Sequence, residues 1–126
     1  MALTINQITF DCSDPLKLAA FWAAAMGWAG ADDAKPDDEE VAVVSADKSR
    51  VLLFIRVPEG KAVKNRVHLD VSPTDSTRDA EVERLVGLGA SVYDDRRLED
   101  GRGWVVMRDP EGNEFCVERS EAERTT

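Results

Sequence analysis

The feature that most limits how this chain can fold is that it runs through one structural plan twice. The first pass opens with Ile8, Phe10 and Cys12 alternating with Gln7, Thr9 and Asp11. Apolar residues at every second position mark a half-buried strand. Asp14 and Pro15 follow, a capping residue and then a proline suited to the first helical position. Leu18, Phe21, Trp22, Ala25 and Met26 recur at helical spacing, and Gly27 ends the run. Strands are expected at 41–45 and 51–57, after a loop dense in carboxylates. That loop lacks the alternating rhythm of a calcium loop and reads as a solvated segment.

The second pass starts with Val67, Leu69 and Val71 alternating with Arg66, His68, Asp70 and Ser72. Ser76 and Asp79 have capping-box spacing. Val82, Leu85 and Val86 form the helical stripe, and Gly89 closes it. Strands are expected near 90–93, 104–108 and 114–118, the last two joined through Asp109-Pro110-Glu111-Gly112-Asn113. Gln7 and Gly27 stand in the first half as His68 and Gly89 do in the second. The expected architecture is α+β: two βαβββ modules forming a curved mixed sheet around a central cavity. One domain over 1–120 is expected, with modules at 3–58 and 65–119 and a frayed tail at 120–126.

Composition narrows the partners. With 16 basic and 25 acidic residues the net charge is −9. Nucleic-acid binding needs clustered Lys and Arg, and an acidic surface repels anionic membranes, so neither partner is expected. No apolar stretch approaches the ~18 residues of a spanning helix, and no secretory leader is evident, which predicts a cytoplasmic protein. Cys12 and Cys116 lie in separate apolar runs without metal-binding spacing and read as free buried thiols.

Three segments resemble the vicinal oxygen chelate superfamily of glyoxalase I, extradiol dioxygenases, fosfomycin resistance and bleomycin resistance proteins. They are Asn6-Gln7-Ile8-Thr9-Phe10-Asp11 with Asp14 through Trp22, Arg66-Val67-His68-Leu69-Asp70-Val71, and Asp109-Pro110-Glu111-Gly112-Asn113-Glu114-Phe115. The nearest likeness is to small glyoxalase-like domain proteins. The resemblance implies the glyoxalase/bleomycin resistance fold and a homodimer. It also implies a metal quartet, His or Gln at the first and third positions and usually Glu at the second and fourth. Carried onto this chain, these positions are Gln7, Leu53, His68 and Cys116. Both positions that should be carboxylates lack one, so a divalent cation would lack charge compensation. No cofactor is expected; Zn, Ni, Mn or Fe is the lesser expectation, with Cys116 as a thiolate favouring zinc.

The expected ligand-binding residues are Gln7, Thr9, Leu53, Ile55, His68, Asp70, Trp104 and Cys116. His68 is the best catalytic candidate, since an imidazole can bind an anion or move a proton near neutral pH. Asp70, two residues on, shares its face and can orient it or merely pair with a neighbour. Trp22 reads as core, whereas Trp104 shares its phase with Val106 and Arg108, away from Val105 and Met107. The function expected is metal-free binding of a small molecule, as in resistance by sequestration. The alternative is a metal-dependent or His-assisted lyase, isomerase or dioxygenase.

Overall fold

The computed structural model describes residues 1–125. The chain forms two compact units, Met1–Lys61 and the residues from Ala62 onward. In the first, β1 (Ile8–Cys12), α1 (Pro15–Met26), β2 (Glu40–Val44) and β3 (Val51–Arg56) build a sheet in the order β1-β3-β2. β1 runs parallel to β3, and β2 antiparallel. The Asp14 carboxylate accepts from the Lys17 N–H, Pro15 occupies the first turn, and Gly27 closes α1 at φ 69°. This is the start and stop that the sequence prescribes. The core face of the sheet packs on α1 through Phe10, Trp22 and Phe54, with ring centroids 5.5 Å apart for Phe10–Trp22 and 5.2 Å for Phe10–Phe54. Trp22, Phe54 and Cys12 are buried there.

The second unit contains β4 (Asp70–Val71), α2 (Arg78–Leu88), β5 (Ser91–Asp95), β6 (Val105–Arg108), β7 (Glu114–Val117) and a single helical turn, α3 (Glu121–Arg124). Its sheet order is β4-β7-β6-β5, with β4 parallel to β7. Val105, Met107, Phe115 and Val117 are fully buried, as are Val82 and Leu85 of α2. The β6–β7 turn is tied by the Asp109 carboxylate, which accepts from the N–H groups of Glu111 and Asn113 at 2.9 and 3.0 Å.

The structure corrects four expectations. The first unit has three strands, not four: among the described residues, 28–39 forms no strand where the second unit has β5. Clustered acids and Pro36 disfavour a strand there. The segment is instead pinned by the Arg56 guanidinium, which donates to the carbonyls of Pro36 and Asp38. The strand expected to carry His68 is only Asp70–Val71, so His68 stands two residues before it, and Val67 is 83% exposed rather than core. α2 is capped by Thr77, whose hydroxyl accepts from the Ala80 N–H, while Ser76 donates to Glu81. A complete capping box occurs instead at Ser120 and Glu123, where a frayed tail was expected; Glu123 also accepts from the Arg78 N–H at 2.7 Å. Thr126 lies outside the described residues.

Candidate functional site

In the first unit, alternation sends Phe10, Cys12, Leu52 and Phe54 toward α1, and leaves Thr9, Asp11, Leu53 and Ile55 on the opposite face. Thr9 lies across from Leu53, and Asp11 from Ile55. Gln7 precedes β1 and is exposed; Leu53 and Ile55 are half-buried. A separate groove of about 360 Å³ runs beside α1, lined by Leu16, Ala20 and Trp28 among others. None of Gln7, Thr9, Leu53 or Ile55 borders it.

In the second unit the corresponding face is built on β7. Cys116 pairs with Asp70 on one side and with Val106 on the other. The Cys116 N–H donates to the Leu69 carbonyl at 2.9 Å, which fixes the ladder beside His68. His68 Nε2 lies 3.2 Å from Asp70 Oδ1. One donor atom from each of His68, Asp70 and Cys116 falls within 4.8 Å of the others. Cys116 is buried, whereas His68 and Asp70 are exposed, so the cluster is rooted in the sheet and open on one side. Burial, together with the adjacent Asp70 carboxylate to which the thiol hydrogen-bonds, pushes the Cys116 thiol up to about 11. It is therefore protonated at neutral pH and a poor nucleophile. Trp104, the residue just before β6, is 45% exposed, whereas Val105 and Met107 are buried.

A neighbouring carboxylate lies two residues from Cys116 on the same strand, at Glu114. Glu114 is 3% exposed, and its Oε1 accepts from the Asn65 N–H at 2.9 Å. The Asn65 side chain donates back to the Glu114 carbonyl. This carboxylate thus anchors the segment leading into His68 rather than offering itself as a ligand. Its other oxygen is 3.7 Å from Arg108 Nε, and the Arg108 guanidinium lies over the Tyr93 ring at 3.7 Å.

The registers show where the two modules correspond. Leu53 faces Thr9 across a parallel ladder as Cys116 faces Asp70, and Gln7 and His68 each stand two residues before those partners. Leu53 therefore holds in the first module the place that Cys116 holds in the second. Leu53 has no donor atom, and the Cys116 thiol keeps its proton. The oxygen-rich quartet implied by the resemblance does not fit these residues.

Comparison with known proteins agrees with this fold. The sequence matches the glyoxalase-like domain family over residues 7–118. No curated protein matches it in sequence. A glyoxalase-related enzyme from Fulvimarina pelagi superposes with a TM-score of 0.66 at 19% identity, covering 96% of this chain and 90% of that one. A fosfomycin resistance protein from Mesorhizobium loti gives 0.66 at 18% identity, covering 99% and 98%. Another from Listeria monocytogenes, solved with Mn(II) and 1S,2S-dihydroxypropylphosphonic acid, gives 0.69 at 17% identity, covering 99% and 98%. At such identities the likeness is one of fold. With the family matched over nearly its whole length, the chain belongs to the glyoxalase-like domain family, within the vicinal oxygen chelate superfamily.

Proposed function

We propose that the protein binds and sequesters a small organic molecule without the oxygen-held cation of its metal-dependent relatives. The observation that carries this reading is the pair Leu53 and Cys116, equivalent in register and both without a carboxylate. The proposed ligand contacts are Gln7, Thr9, Leu53 and Ile55 in the first module and His68, Asp70, Trp104 and Cys116 in the second. Half-buried aliphatic residues and an exposed tryptophan supply apolar area, with a few polar groups for orientation, as in most small-molecule sites. The acidic surface favours a cationic or neutral ligand.

A second reading rests on the His68–Asp70 contact of 3.2 Å. A carboxylate holding one imidazole nitrogen orients the other for proton transfer, which would make the protein a His-assisted lyase or isomerase. Thermal shift against a panel of aromatic and cationic compounds, with and without chelator, tests the main reading. Ligand binding raises the melting temperature by mass action. The expected hit stabilises the protein equally in both arms. Stabilisation that vanishes with chelator contradicts the reading. Turnover of a hit that is lost in His68→Gln favours the second reading.

A further inference from the structure

We infer that the groove beside α1 is a binding site for a small organic cation, a quaternary ammonium joined to an apolar body. The groove lies wholly in the first module, and none of the ligand contacts proposed above borders it. The inference stands whether or not that reading of the sheet face holds.

Small side chains create the space. Ala19, Ala20, Ala23 and Ala24 share one side of α1 at helical spacing and carry only methyl groups. At Gly27 the chain turns back with φ 69°, and the Trp28 N–H donates to the Ala23 carbonyl at 2.9 Å. Gly30, Ala31 and Asp32 then supply the facing wall. The alanine methyls are too short to fill the gap, which leaves about 360 Å³. That volume falls at the lower end of small-molecule sites, roughly 300–1,000 Å³. The wall is held by its own hydrogen bonds. The Ala34 N–H donates to the Ala31 carbonyl at 3.0 Å, and the Lys35 N–H to the Asp38 carboxylate at 2.9 Å. The Arg56 guanidinium ties down the carbonyls of Pro36 and Asp38.

The chemistry of the lining selects the occupant. Trp28 is half-buried, and among the described residues it stacks on no ring and covers no cation. Asp32 is exposed and, among the described residues, has no hydrogen-bond or ion-pair partner. No Lys, Arg or His lines the groove, and residues 31–40 hold six carboxylates against one lysine. An indole face beside a carboxylate attracts an alkylammonium, whose methyl groups also suit an alanine floor. An anion of the same shape is repelled.

Titration of the ¹⁵N-labelled full chain with benzyltrimethylammonium tests this, read at the indole N–H signals of Trp22, Trp28 and Trp104. Trp28→Phe and Trp104→Phe assign the signals. The expected result is a saturable shift of the Trp28 signal, with Kd about 1 mM or tighter, while Trp22 and Trp104 stay in place. Benzylsulfonate, an anion of matching shape, should move none of them. Asp32→Asn, at an exposed position, should weaken binding about fivefold at low salt. Ala20→Leu fills the groove from an exposed helical position, keeps a strong helix former there, and should abolish the shift. Circular dichroism and an unmoved Trp22 signal check the fold of both variants. A Trp28 signal that stays still up to about 10 mM ammonium overturns the inference. So does an equal response to the sulfonate, or an affinity unchanged in Asp32→Asn or in Ala20→Leu. A shift confined to Trp104 overturns it too, and would locate the cation at the sheet-face contacts instead.

Discussion

At the scale of single residues, the chemistry turns on which atoms are held and which are free to move. Asp70 shows this best. Alternation placed it on the His68 face, but only the register shows that it sits across from Cys116. Gly103 shows the steric extreme. It adopts φ +94°, and a Cβ there would stand 2.1 Å from the Arg96 carbonyl oxygen. Gly101 has a similar φ of +92° with open space around it. Gly103→Ala is therefore expected to cost about 3 kcal/mol or more, against about 1 kcal/mol for Gly101→Ala, in urea unfolding. Equal losses would contradict the packing described. Caps and phases were legible at this scale where one side chain decides: Asp14, Pro15, Gly27 and the outward Trp104. The α2 cap was not, because Ser76 and Thr77 are chemically equivalent candidates. Local geometry gave the cap to Thr77.

Among the elements, α2, β5 and the loop before β6 are bound by charge. The buried Arg78 guanidinium donates to the carbonyls of Gly101, Arg102 and Gly103 and to Asp79. Arg97 bridges Asp79 at 3.1 Å and Asp95 at 2.7 Å. The Arg97 side chain and N–H hold the Asp95 carboxyl at about 2, and the Arg78 side chain holds that of Asp79 below its usual range. A carboxyl depressed in the folded state adds stability that is full above its unfolded value and is lost as pH falls through the folded one. Stability should therefore drop between about pH 4 and pH 2, and Asp95→Asn should flatten that drop. Asp47, also held at about 2 by Ser49 and Ser45, leaves a residual slope. An unchanged slope in Asp95→Asn, measured by urea unfolding across this range, would contradict the assignment. Helices and long strands were readable from periodicity. The short strand before α2 was not, because Val67 has strand-like spacing without a partner that buries it.

For the whole molecule, duplication was the most legible property, since two passes through one plan leave few fold classes open. What could not be read was how far the passes have diverged. The first module lacks a counterpart of β5, and its loop residues give no periodic signal to register the loss. The candidate site was half legible: alternation and resemblance placed Gln7, Leu53, His68 and Cys116, but the closeness of Asp70 to both His68 and Cys116 depends on strand pairing. The central claim is that the oxygen-rich cation site of metal-dependent relatives is absent here. Mn(II) titration followed by electron paramagnetic resonance tests it most directly. The account predicts that the signal of free Mn(II) grows in proportion to metal added, in wild type and Gln7→Ala alike. Suppression of that signal by one Mn(II) per chain, relieved by Gln7→Ala, would contradict it.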